Sequence, residues 1–151
     1  MGSDVMEIVD RTAAIAGGIE GIAAVFGVGT GLVDDPLRQG MTIATAESNP
    51  VAVMTHWSEA PSAPTVKWLT QNKTVEVSWN IPMRLYLPMQ PDAARRAAIP
   101  FYDGYLKAFV QDNTIGGLAN RSYIAQFTIG GDKNWSWLDV GLIVVEIINY
   151  G

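Results

Sequence analysis

The 151-residue chain contains no cysteine and a single histidine, His56. The first absence removes disulfides, thiol nucleophiles and thiolate metal sites, and the second removes the multi-histidine metal motifs. Clustered base is missing as well. Ten Lys and Arg stand against fifteen Asp and Glu, for a net charge of -5, and the basic residues are scattered from Arg11 to Lys133 with only Arg95 and Arg96 adjacent. Duplex DNA or RNA, whose affinity rests on several clustered phosphate contacts, is therefore not an expected direct partner. The opening segment MGSDVMEIVDR has acids where a secretory leader carries a basic region, and Met6 where a myristoylation signal has Ser or Thr. The chain is expected to stay in the cytosol in which it is made. Residues 13–33 have membrane length and one charge, Glu20, but that central glutamate and the glycines around it argue for a helix end, a turn and a buried strand instead of a bilayer span.

What the chain does have is a long, strict alternation. Residues 74–88 read TVEVSWNIPMRLYLP. Val75, Val77, Trp79, Ile81, Met83, Leu85 and Leu87 fall at every second position, which sends them to one face of a strand. Glu76, Ser78, Asn80, Pro82, Arg84 and Tyr86 go to the other. Pro82 donates no hydrogen bond, so it requires an edge, a bulge or a side that meets something other than a strand. At about 3.3 Å per residue the strand is longer than the core of a small domain needs, so part of it is expected to serve assembly.

The rest of the chain fits a single α+β domain over residues 1–151, with a mostly antiparallel sheet, an N-terminal helix and one long amphipathic helix packed on it. Residues 4–16 carry Val5, Ile8, Val9, Thr12, Ala13 and Ala16 on a helical stripe, with Ser3 as the expected N-cap and Gly17-Gly18 as the stop. Residues 22–26 and 51–57 predict short strands. The glycine-, aspartate- and threonine-rich residues 27–49 predict a long loop or extended arm. After the proline-containing linker 58–64, residues 66–87 are compatible with a hairpin or with one bent ribbon. Ala94, Ala98, Phe101, Tyr105 and Phe109 mark the amphipathic helix from residue 91 to near Asp112, with a kink or break restarting at Pro100. Strands over 118–129 and 135–150 close the domain. The last is apolar on both faces at its centre and so requires cover on both sides.

Chemical constellations are sparse. FGVGTG at 26–31 has neither the dinucleotide spacing nor the Lys-Ser/Thr pair of a P-loop, and no cofactor is expected. His56, near Glu59, resembles a base with an orienting carboxylate, but no nucleophile stands in a recognisable setting, so a satisfied surface histidine at a strand end is expected and no catalytic residue is assigned. The acids form no calcium-loop spacing, and no metal site is assigned. Trp79 is explained by the core. Trp135 and Trp137 share one face of the final strand, and aromatic residues of this kind serve core and interface alike. Candidate subunit-interface residues are Pro82, Arg84, Tyr86, Trp135 and Trp137.

Four segments, MRLYLP at 83–88, PDAARRAAIPFYDGYLKAF at 91–109, DNTIGG at 112–117 and VGLIVVEI at 140–147, together with the order of the elements, resemble the tail terminator, or tail completion, proteins of long-tailed bacteriophages. The resemblance implies a structural virion protein, not an enzyme, forming a sixfold homo-oligomeric ring at the head-proximal end of the tail tube. Such a ring ends tube polymerisation and presents a surface for head-tail joining. The implied partners are the tail tube protein and the head-tail connector protein, with DNA passing through the ring. Localisation to the virion after assembly in the host cytoplasm is implied too, and no cofactor or membrane comes with the family. A head completion or adaptor protein, or a tail tube subunit, is the alternative within the same class. A small-ligand binder or enzyme lies further off.

Overall fold

The computed structural model describes residues 4–22, 24–26, 55–59, 61–69, 73–87, 89–131 and 136–150. The expected arm at 27–49 and the start of the strand expected at 51–57 lie outside them, as do Ser3 and Trp135. The first helix, α1 (Val5–Ala16), is capped by Asp4, whose side chain accepts the Met6 N–H at 2.9 Å. It buries Ile8, Val9, Thr12, Ala13 and Ala16 of the expected stripe, with Val5 at its start only half-buried, and stops at Gly17. The strands are β1 (Ala24–Phe26), β2 (Thr55–Ser58), β3 (Thr65–Trp68), β4 (Thr74–Leu87), β5 (Arg121–Gly131) and β6 (Ser136–Asn149). They form one six-stranded sheet in the order β1-β2-β4-β6-β5, with β3 also beside β4. Among the described strands only β1 and β2 run parallel. The fold is therefore α+β with a mostly antiparallel sheet.

The ladder between β4 and β6 is the longest, running from Thr74 opposite Asn149 to Leu87 opposite Ser136. Its even register brings the apolar face of β4 beside Leu138, Val140, Leu142 and Val144 of β6, and all four are buried. The helices cover this face. Ile8 and Val9 of α1, together with Ala94, Ala98, Phe101, Tyr105 and Phe109, close the core over Ile81, Met83, Leu85 and Leu87. The cluster of buried side chains stops at Ile81 on β4 and Val144 on β6, with Trp79 half-buried against it. At that limit two buried polar atoms, Trp79 Nε1 and Ser122 Oγ, have no partner among the described residues. They flank Val144 in one cross-strand row.

The amphipathic stretch expected as one long helix is two shorter ones, α2 (Pro91–Ala97) and α3 (Ile99–Gln111). Pro100 has no N–H to continue the ladder, so the helix ends at Ala98 and restarts with Pro100 in its first turn, where the missing donor costs nothing. The buried stripe, Ala94, Ala98, Phe101, Tyr105 and Phe109, is the expected one. Of the two alternatives for residues 66–87, the antiparallel pairing of β3 with β4, with Trp68 opposite Val75, is that of a hairpin.

Pro82 is accommodated by a gap between strands. β2 pairs with β4 only at residues 83–86 and β3 only at residues 75–78, so the linker between them faces β4 at Pro82. The Pro82 C=O accepts the Glu59 N–H at 2.9 Å on that side. In an antiparallel strand the N–H and C=O of a residue point the same way. The missing donor is therefore aimed at the linker, and the β4–β6 ladder loses nothing. A bulge interrupts β5 between Ile124 and Gln126, so Ser122 and Ile124 before it and Phe127 and Ile129 after it all face the helices. Before β5, Ile115 has φ of 53° and is followed by Gly116 at 66° and Gly117 at 86°. A β-branched residue in that region is strained by about 1–3 kcal/mol, and complete burial of the Ile115 side chain in the core offsets it.

The Pro82 geometry predicts a contrast. Pro82→Ala should cost no more than about 1 kcal/mol, from added freedom of the unfolded chain. Leu85→Ala, at a fully buried position three residues further along β4 on the other face, should cost about 2–5 kcal/mol. Urea unfolding curves of the two variants measure both, and equal losses would show that the proline is integral to the ladder.

Candidate functional site

The two faces of the sheet carry two different polar clusters. On the helix side, His56 and Ser58 are two residues apart on β2 and so point the same way. His56 is completely buried, which corrects the expectation of a surface histidine. Its Nδ1 lies 2.7 Å from the Tyr105 hydroxyl of α3 and its Nε2 lies 2.9 Å from Ser58 Oγ. Ser58 Oγ is 3.3 Å from Thr12 Oγ1 of α1, and Thr12 donates to the Val9 C=O at 2.6 Å. The directions follow from that last bond. Because the Thr12 proton is committed to a carbonyl, Ser58 donates to Thr12, His56 Nε2–H donates to Ser58, and Tyr105 O–H donates to Nδ1. One neutral tautomer satisfies the whole chain.

Burial pushes the His56 imidazolium down to a pKa of about 3 and the Tyr105 phenol well above its usual range. A neutral imidazole locked between two hydroxyls, away from solvent, joins α1, β2 and α3. It presents nothing to a substrate. Glu59, considered as an orienting carboxylate, is not a partner of His56: alternation along the chain carries it to the opposite side, where it lines a depression with Asn80 and Pro82. Ser58, Thr12 and Tyr105 were not singled out as its partners from the sequence. The signal available was the two-residue step from His56 to Ser58 and the place of Tyr105 on the buried stripe of α3.

The other face is free of helices among the described residues, and it gathers Pro82, Arg84 and Tyr86 of β4 with Trp137 of β6. Arg84 makes a two-toothed ion pair with Asp139, directly opposite on β6, at 2.6 and 3.1 Å. Its guanidinium also lies 4.7 Å from the centre of the Trp137 ring. Hydrogen bonding to Asp139, with Tyr86 adding to it, holds the Arg84 pKa above its ordinary value. Trp137 in turn lies across Gly130, where any Cβ would come within 2.6 Å of the indole nitrogen. Tyr86 is 3% exposed, while Arg84 and Trp137 on the same face are half-buried. Asp139 was not singled out from the sequence, since only the β4–β6 register reveals that it faces Arg84. Beside the cluster, a depression of about 240 Å³ has Pro82 and Gly141 among its lining residues. Further along, Arg121 reaches Glu76 at 3.2 Å across β6.

An arginine held flat between a carboxylate and an indole can stack on, or donate to, a protein surface. Arg and Trp are also the residue types that anchor protein interfaces. Among the described residues no group of acids and histidine is placed to hold a metal ion. No helix of the described residues is long and apolar enough to cross a membrane. A scan against protein-family models finds no match, and no curated protein is similar at a significant level.

The buried histidine makes stability depend on pH. Folded His56 stays neutral down to about pH 3, whereas an unfolded histidine takes up a proton below its ordinary value of 6.5. The unfolded state therefore binds more protons between those values, and stability falls as pH drops from 6.5 toward 3. By pH 4.5 the loss should be roughly 2–3 kcal/mol. Urea unfolding at pH 7 and pH 4.5 measures it, and a His56→Gln variant should show a shallower pH dependence. Equal slopes would mean that His56 is charged in the fold. Tyr105→Phe, which strands Nδ1 without a donor, should cost about 1–3 kcal/mol at pH 7.

Proposed function

We propose that the chain is a structural virion protein of a long-tailed bacteriophage, one subunit of a sixfold ring at the head-proximal end of the tail tube. In this role it ends tube polymerisation and offers the surface on which head and tail join. Its partners are further copies of itself, the tail tube protein and the head-tail connector protein, and DNA crosses the ring without sequence recognition. The resemblance of residues 83–88, 91–109, 112–117 and 140–147 motivates the assignment.

The observation that carries the reading is the set of large apolar side chains exposed at the end of the sheet that no helix covers among the described residues. Beyond the limit of the core, β3 exposes Val66 at 53% and Trp68 at 65%, and Leu69, Ile147 and Tyr150 are exposed nearby. A strand pair that runs past its own core with large apolar side chains in water is unfavourable in a monomer and favourable at an interface. The edge of β5 is also unpaired among the described residues. Closed rings need two different patches on each subunit, and an extended sheet with an open edge supplies them. The net charge of -5 suits a channel that DNA must cross without sticking.

Electron microscopy of phage particles made without this protein tests the assignment. Heads separated from tails of uncontrolled length are the expected result, and normally joined particles would refute it. The purified protein should form particles of sixfold symmetry, whereas open filaments would make it a tube subunit instead.

A further inference from the structure

We infer that the subunits contact one another by docking: the exposed strand β3 of one copy, led by Trp68, seats in a groove between residues 18–21 and α3 of the next. The inference rests on the ring reading above and specifies the contact that such a ring would use. The groove has a volume of about 710 Å³, within the range of about 300–1,000 Å³ in which pockets enclose a sizeable ligand. Its walls are the turn after α1 and the flank of α3, with apolar surface from Ile19, Phe101 and Ala108. The walls meet closely because Gly21, with φ of 96°, sits against the Phe101 ring, where a Cβ would come within 3.0 Å.

Charge favours this occupant. The groove carries Glu20 and Asp103 against the one base Lys107. The hairpin carries Lys67 and Lys73, both exposed, beside Val66, Trp68 and Leu69. None of these charged groups makes an ion pair among the described residues. A basic, aromatic strand and an acidic, apolar groove on the same molecule are complementary between copies. They share no residue and no element of structure, so one copy can offer its strand and its groove at the same time. That is a heterologous contact, able to close into a ring. Past Asp103, α3 also exposes Ile99, Leu106 and Val110 along one stripe, which extends the apolar surface available to Val66 and Leu69.

The cysteine-free chain allows a direct test. Copies carrying Leu69→Cys are mixed with copies carrying Gln111→Cys, at an exposed position on the groove wall, and oxidised. Mixed pairs should cross-link, while either variant alone should not. Adding Trp68→Ala to the hairpin copy should reduce the yield at least tenfold, with circular dichroism confirming that each variant folds. In a second arm, Asp103→Lys should weaken assembly in sedimentation, and combining it with Lys67→Glu should restore it. If the wild type forms rings but the mixed pair does not cross-link, this contact is wrong and the ring reading stands. Cross-linking of like variants alone would also overturn it. A wild type that remains monomeric and never joins purified tail tubes removes both.

Discussion

Every other feature of the domain depends on the register between β4 and β6. With fourteen residues of β4 paired without a break, each side chain of the two central strands is committed to one face. A slip of a single position would exchange the faces, sending Ile81, Met83, Leu85 and Leu87 to the open side and Arg84 and Tyr86 beneath the helices. The energetic penalty of burying Arg84 and exposing four large apolar side chains makes the observed register the only favourable one. Through β4 the register also fixes β2, and with it the placement of His56 and Ser58 under α1 and α3. Through β6 it brings Asp139 and Trp137 to Arg84.

The parts of this arrangement that were legible in the sequence are those governed by strong local periodicity. The alternation in β4, the stripe on α1 and the stripe from Ala94 to Phe109 each reproduce the buried residues closely. Pro100 signalled its break, though its effect is a division into two helices and not a bend in one. Less legible were features set by partners remote in sequence. His56 looked like a surface residue because nothing within a few positions suggested Tyr105, forty-nine residues away, or Thr12 on another helix. The Arg84 and Asp139 pair is separated by fifty-five residues and depends on a register that no local pattern encodes. The strand expected from 118 begins at Arg121, because the positive φ angles at Ile115, Gly116 and Gly117 belong to a turn that must finish first. Of the interface candidates, Pro82, Arg84, Tyr86 and Trp137 do share one face, and Tyr86 is too deeply buried to touch a partner.

The two polar clusters do different work on opposite sides of the sheet. The neutral chain from Tyr105 to Val9 is a directional clamp with every donor used, and it fixes two helices to an otherwise short strand, β2. The Arg84 cluster is charged and partly wet, and an ion pair at that exposure is worth little, about 0–1 kcal/mol. Its importance is geometric, because it holds a guanidinium and an indole in a set orientation on the face that carries no helix among the described residues. Packing is complete over the half of the sheet that the helices cover and loosens where the cover ends, at Trp79 and Ser122. On the proposed reading, such a chain divides its sheet between folding and assembly.

The bulge in β5 has a consequence for how such a chain can change over generations. Before it, the even-numbered residues Ser122 and Ile124 face inward; after it, the odd-numbered Phe127 and Ile129 do. The extra residue at Ala125 is a parity switch. Insertions and deletions are ordinary currency in loops, but losing one residue here would turn Phe127 and Ile129 out of the core and draw their polar neighbours Gln126 and Thr128 in. Substitution can therefore explore β5 freely, while length cannot, and lineages of this fold should keep the spacing from 122 to 127 even where they keep none of its residues.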